Sequence, residues 1–139
     1  MQPAPRSILT ATPADTEAAG ADLARELRPG DVVLVSGELG AGKTTFVRGA
    51  CRALGVRGPV TSPTFTIGQL YEGRDGEIAH VDLYRLPSLA AEDPALLDDY
   101  LTPDRIGFVE WPDAGAIDRI AARVRIEHRG GDRRAIEIE

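Results

Sequence analysis

Asp31-Val32-Val33-Leu34-Val35-Ser36 is a nearly unbroken run of β-branched residues and leucine, the pattern of a strand buried on both faces of a parallel sheet. Beyond a glycine-rich turn, Phe46, Val47, Ala50 and Leu54 recur at helical spacing, and Gly55 stands where a C-terminal cap belongs. Ile106-Gly107-Phe108-Val109 reads as another buried strand, closed by Glu110-Trp111-Pro112. Between these runs, Phe65 to Tyr71 and Glu77 to Leu83 read as strands around a turn at Glu72 to Gly76, an antiparallel hairpin beside the parallel strands. Alternation puts Ile78, His80 and Asp82 on one face of its second strand and Ala79, Val81 and Leu83 on the other. The polar face is expected to look onto something wet or charged.

Ahead of the first run, Thr12-Pro13-Ala14-Asp15 reads as a helix start, with Thr12 as N-cap and proline at the first helical position. That helix is expected to reach about Leu27, where Arg28-Pro29-Gly30 ends it. Arg85 to Tyr100 is helical or irregular and acidic, carrying Glu92, Asp93, Asp98 and Asp99. Val124 to His128 and Ala135 to Ile138 flank Gly130-Gly131 and predict a closing hairpin.

The turn after the first strand changes the picture. Gly37-Glu38-Leu39-Gly40-Ala41-Gly42-Lys43-Thr44 fits the phosphate-binding pattern G-x-x-x-x-G-K-[ST], and Lys43 is the only lysine among 16 basic residues. Its glycines let consecutive backbone N–H groups face one concavity, and the following helix adds its positive end. A compact ammonium fits between phosphates where a planar guanidinium would not. Thr44 offers a hydroxyl to Mg²⁺. The bland alternative is a glycine-rich turn without a ligand, and the flanking strand and helix weigh against it.

Length and composition fit one α/β domain over residues 1–139, with 42% hydrophobic residues enough for a single core. The expected architecture is a three-layer fold like that of P-loop NTPases, with a central mixed, mainly parallel sheet plus antiparallel hairpins. No apolar run approaches the ~20 residues of a membrane span, and no basic-then-apolar leader is seen, so a cytoplasmic protein is expected. The single cysteine, Cys51, excludes an internal disulfide and reads as packing. A net charge of −6 argues against broad contact with a nucleic-acid backbone, so neither DNA binding nor a direct RNA contact is expected. Arg123, Arg125, Arg129, Arg133 and Arg134 are interleaved with Glu127, Asp132, Glu137 and Glu139, which suits a solvated mixed-charge hairpin; a partner-docking surface is the other reading.

Nucleotide-bound Mg²⁺ takes few protein ligands, so Thr44 plus one carboxylate at a strand end would suffice. Glu110 is the stronger candidate because four apolar residues lead directly into it. Asp82 could orient an attacking water or complete the outer shell of the metal; a helix cap or an ion pair with Arg85 is its alternative. His80, with only His128 as a fellow histidine and no cysteine partners, reads as packing or hydrogen bonding rather than a metal ligand. Trp111 is either a core filler or an aromatic wall beside the nucleotide.

Gly37 to Thr45 followed by Phe46 and Arg48, Ser62-Pro63-Thr64-Phe65-Thr66, His80-Val81-Asp82-Leu83-Tyr84-Arg85 and Val109-Glu110-Trp111-Pro112 together resemble the TsaE (YjeE) family. The likeness runs from about Thr12 to the closing hairpin. It implies an ATPase of tRNA threonylcarbamoyladenosine synthesis that assists TsaB- and TsaD-like proteins in modifying adenosine 37 and hydrolyses little ATP alone. It further implies that Gly37, Glu38, Leu39, Gly40, Ala41, Gly42, Lys43, Thr44 and Thr45 hold the phosphates of ATP, and that Thr44 and Glu110 serve Mg²⁺. Lys43, Asp82 and Glu110 would carry catalysis, and Ser62, Pro63, Thr64, Phe65 and Thr66 would form a nucleotide-sensing switch. Trp111 would lie near the nucleotide, and Thr12 and Pro13 near the adenine. The acidic stretch Pro87 to Asp99 is only loosely like the family's.

Rival classes fit less well. A GTPase reads guanine through an asparagine-containing motif, and the chain has no asparagine. A small-molecule kinase needs an arginine-rich lid, for which an acidic insert is poorly suited. A binding module whose fold ATP merely stabilises shares every motif with the ATPase.

Overall fold

The computed structural model describes residues 5–38, 40–61, 68–83, 95–110 and 120–139. Along them run β1 (Arg6–Thr10), α1 (Pro13–Ala24), β2 (Val32–Gly37), α2 (Lys43–Ala53), β3 (Gly68–Gly73), β4 (Gly76–Asp82), α3 (Ala95–Asp98), β5 (Ile106–Glu110), β6 (Ile120–His128) and β7 (Arg134–Ile138). The strands form one sheet in the order β1-β7-β6-β2-β5-β4-β3. Its inner strands β6, β2, β5 and β4 are mutually parallel. Antiparallel partners flank them, β3 on β4 and β7 on β6, with β1 antiparallel to β7 at the far edge. This is the mixed α/β sheet with antiparallel hairpins that the sequence predicts.

The apolar run of β2 divides between two cores because successive side chains of a strand point to opposite faces. Val33 and Val35 join Leu23, Phe46, Val47 and Phe108 beneath α1 and α2, while Val32 and Leu34 join Val81, Leu83, Leu97 and Val109 on the other side. Helices and sheet thus make three layers. Cys51 lies in the first core, where burial pushes its thiol up to about 12, in keeping with a packing role.

Thr12 caps α1 as expected: its hydroxyl accepts from the Asp15 N–H (3.1 Å), and the Asp15 carboxylate accepts from the Ala11 N–H (3.2 Å). The helix is shorter than the predicted span to Leu27. It stops at Ala24, and the N–H groups of Glu26 and Leu27 bond to carbonyls three residues earlier. That tightening turns Leu27 into the core. Helix α2 ends as its Gly55 predicts, with Gly55 N–H on Arg52 O (3.1 Å) and Val56 N–H on Cys51 O (3.0 Å).

The polar face of β4 looks onto charge rather than water: Ile78 and His80 are buried, His80 lies against Glu110, and Asp82, at the strand end, is partly exposed. The hairpin carrying it is joined to the sheet through β4, which is parallel to β5. The closing hairpin is a structural part of the sheet, because β6 begins at Ile120 and lies parallel to β2, burying Ala122, Val124 and Ile126. Its mixed charges, Arg134 apart, keep to the exposed face, where Arg125 pairs with Glu137 and Arg129 with Glu127 (both 3.1 Å). Strand β1 was not predicted, since Arg6-Ser7-Ile8-Leu9-Thr10 is short and half polar; pairing with β7 creates it. Most of the acidic Arg85 to Tyr100 stretch lies outside the described residues. Among the described residues, no helix is long and apolar enough to cross a membrane.

Helices α1 and α2 cross with backbones in contact. A Cβ at Gly49 would lie 1.9 Å from Glu17 O, and one at Gly20 would lie 2.1 Å from Phe46 O. Neither helix can retreat without opening the core that carries the phosphate loop. Gly49→Ala should therefore destabilise the fold by about 3 kcal/mol, the upper range for overpacking, whereas an unstrained mid-helix Gly→Ala change would stabilise it. The denaturation midpoint decides the sign.

Candidate functional site

Strand β2 ends at Gly37, and α2 begins six positions later at Lys43. The loop between them is shaped by its own backbone: Ala41 N–H donates to Glu38 O (2.9 Å), and Gly42, at φ 100°, turns the chain into the helix by offering its carbonyl to Phe46 N–H (3.0 Å). Only glycine adopts that φ without strain. The first N–H groups of α2 thereby open toward the loop's concavity.

Lys43 folds back over this concavity. Its Nζ donates to Gly37 O (2.9 Å) and Glu38 O (2.8 Å), strapping the loop shut from within. The side chain is buried, and burial holds the ammonium below its ordinary pKa. The negative charges of Glu110 and Asp82 oppose that shift and favour the charged form.

The acids are placed by strand register. Glu110 closes β5 and is paired with Val35 of β2 on one side and Asp82 of β4 on the other. Both carboxylates therefore stand at the C-terminal ends of adjacent parallel strands, the rim at which open α/β sheets bind ligands. Thr44 Oγ1 lies 3.2 and 3.1 Å from the two Glu110 oxygens and donates to the carboxylate. A hydroxyl and a carboxylate in contact at a loop of N–H donors form an all-oxygen set suited to a hard divalent cation that keeps most of its waters.

Glu110 has a third partner that sequence reasoning did not place at the site. Its Oε2 lies 2.5 Å from His80 Nε2, and His80 Nδ1 lies 3.1 Å from the Tyr71 hydroxyl. The ring thus links the carboxylate to the tyrosine, and its tautomer sets the direction of the two contacts. Tyr71 also sits 3.0 Å from Gln69 Oε1 and 3.3 Å from Thr61 O. Burial pushes its hydroxyl up to about 12, so it remains a donor at ordinary pH. His80 is thus a hydrogen-bonding residue as expected, with a strand-parity signal: it lies two positions before Asp82, on the face Glu110 shares.

Arg134 is the other residue missed. From the start of β7 its Nε donates to Ala41 O (2.7 Å) and its Nη2 to Gly40 O (3.3 Å). No local pattern foretells this reach across 93 positions.

The structure therefore brings together Gly37, Glu38, Gly40, Ala41, Gly42, Lys43 and Thr44 with Asp82 and Glu110, and Thr45 follows half-buried on α2. Thr12 and Pro13 are exposed at the start of α1. One turn further, Thr16 approaches the loop, 4.0 Å from where a Gly42 Cβ would stand. Leu39, Trp111 and the proposed switch Ser62 to Thr66 lie outside the described residues. The stem leading to that segment is held by Arg48, which donates to Val60 O at 3.1 and 3.2 Å.

A strand–loop–helix unit of this kind, with acids on the neighbouring strand ends of a mostly parallel sheet, defines the fold class of the P-loop NTPases. The model of one family, described as threonylcarbamoyl adenosine biosynthesis protein TsaE, matches residues 10–136, and the chain belongs to that family. The TsaE protein of Streptomyces coelicolor is 44% identical over 118 residues, covering 81% of this chain and 79% of the relative. That of Synechocystis is 40% identical over 108 residues, covering 70% of this chain and a little under two thirds, 64%, of the relative. The crystal structure of Bacillus subtilis YdiB superposes with a TM-score of 0.74 at 32% identity, covering 97% of this chain and 84% of the other. TsaE proteins take part in tRNA threonylcarbamoyladenosine biosynthesis.

The buried line from Tyr71 through His80 to Glu110 is open to test. Tyr71→Phe leaves His80 Nδ1 without its hydroxyl partner in a buried setting and should cost about 1–3 kcal/mol, read as a lower urea midpoint with an unchanged slope. An unchanged midpoint would show that the hydroxyl is not a partner of the imidazole.

Proposed function

We propose that this chain binds and hydrolyses Mg·ATP and that the cycle supports a TsaB–TsaD-type pair of proteins in the threonylcarbamoylation of adenosine 37, in the cytoplasm and without direct contact with tRNA. The observation that carries the reading is the convergence of Lys43, Thr44, Glu110 and Asp82 on one end of β2, β4 and β5.

In this reading the loop N–H groups and the first turn of α2 bind the β- and γ-phosphates, and the Lys43 ammonium exchanges its loop carbonyls for phosphate oxygens. Thr44 and Glu110 would hold Mg²⁺, which when bound would neutralise charge developing on the transferred phosphoryl group. Asp82, partly exposed beside Glu110, would accept a hydrogen bond from the attacking water. The net charge of −6 supports an indirect relation to tRNA.

The test is ATP hydrolysis by the chain alone and with the TsaB- and TsaD-like proteins of the same organism. Stimulation by the pair is expected, and a rate indifferent to them would remove the coupling. Lys43→Ala should weaken ATP binding about tenfold to hundredfold, from the loss of charge-assisted bonds; unchanged affinity would refute the loop assignment. Glu110→Gln and Asp82→Asn should bind ATP yet lose stimulated turnover by about a hundredfold. Normal turnover in both would overturn their roles.

A further inference from the structure

Of the arginines in the closing hairpin, one is turned inward. Arg125 and Arg129 pair with neighbouring glutamates at the surface. Arg134 instead spends its guanidinium on backbone: Nε on Ala41 O at 2.7 Å, Nη2 on Gly40 O at 3.3 Å, and Nη1 on Gly131 O and Arg133 O at 2.7 and 2.8 Å. The residue is itself fixed at its base. It is the register partner of Thr10 on β1, and the Thr10 hydroxyl bridges Arg134 O (3.5 Å) and the Thr16 hydroxyl (2.9 Å). Arg134 Nε and the Thr16 methyl flank the point where a Gly42 Cβ would stand, at 3.5 and 4.0 Å.

From this we infer that Arg134 is a positioning residue for the phosphate loop, acting on the conformation of the Ala41–Gly42 peptide. A trans peptide points its C=O and N–H in opposite directions within one plane. Holding Ala41 O against β7 therefore directs the Gly42 N–H the other way, into the concavity. Lys43 secures the carbonyls of Gly37 and Glu38 from inside the loop, and Arg134 secures those of Gly40 and Ala41 from outside. The inside clamp must let go for the ammonium to reach a ligand, whereas the outside clamp need not. Arg134 thus keeps the loop in its binding shape while Lys43 exchanges partners, and it makes the hairpin β6–β7 a handle on nucleotide affinity.

The inference rests on the nucleotide-binding reading, and the experiment separates the two. ATP affinity by calorimetry and amide exchange of peptides covering the loop are measured for the full chain and for Arg134→Lys, Arg134→Gln, Arg125→Gln and Lys43→Ala. A lysine keeps the charge but cannot make the planar fork. Both Arg134 variants are therefore expected to bind ATP about tenfold more weakly and, without nucleotide, to exchange their loop amides about tenfold faster. Arg125→Gln should leave both unchanged. If Arg134→Lys binds like the parent with unaltered loop exchange while Lys43→Ala loses ATP, Arg134 has no positioning role and the nucleotide reading stands. If Arg125→Gln weakens binding as much, the effect belongs to hairpin stability and the inference fails. If Lys43→Ala and both Arg134 variants all bind like the parent, the nucleotide reading falls and this one with it.

Discussion

A carboxylate in a protein interior must be answered by donors or positive charge, because removing it from water costs several kcal/mol. Glu110, 2% exposed, sets that condition here. Its answer is drawn from two separate elements: the Thr44 hydroxyl and the field of the Lys43 ammonium from the first turn of α2, and the His80 imidazole from β4. Each donor is delivered by a feature with another purpose, whether helix start, strand register or loop closure. The tertiary arrangement that satisfies Glu110 is also the one that assembles the loop, the acids and their support at one rim of the sheet.

The loop is constrained in a complementary way. Its N–H groups are useful only if its carbonyls are occupied elsewhere, since every peptide presents both. Two cations of different kinds divide that work, a flexible ammonium within and a rigid guanidinium without. The single lysine of the chain stands where mobility is needed, and an arginine stands where a fixed fork is needed. The charge pattern along the sequence displays the first choice plainly and hides the second among neighbours of similar appearance.

What the sequence revealed follows the range of the interactions concerned. The β2 run, the N-cap at Thr12, the cap at Gly55 and the loop itself are local signals and were legible as such. The acid at the end of β5 was legible because an apolar run leads straight into it. The burial of His80 was not, since alternation assigns a side chain to a face but does not say what covers that face; Tyr71 and α2 do. Strand β1, and the place of β6 beside β2, were hidden because each depends on pairing across much of the chain. Arg134 belongs to the same class, and so does the shortfall at the end of α1, where helical propensity yields to the turn that buries Leu27.

The strand order has a consequence for how the molecule comes into being. Strand β2, from which the phosphate loop springs, has as its only neighbours β5 and β6, which lie 70 or more positions downstream in the chain. During synthesis the Gly37–Thr44 segment therefore emerges long before anything can flank it, and Glu110 has no cavity to enter until β2 and β4 are joined by β5. Sheets closed by such distant pairings form late and slowly. No N-terminal fragment ending before residue 126 contains the whole of the β6 pairing that closes one side of β2, so the floor of the loop is completed only by residues far beyond the loop itself.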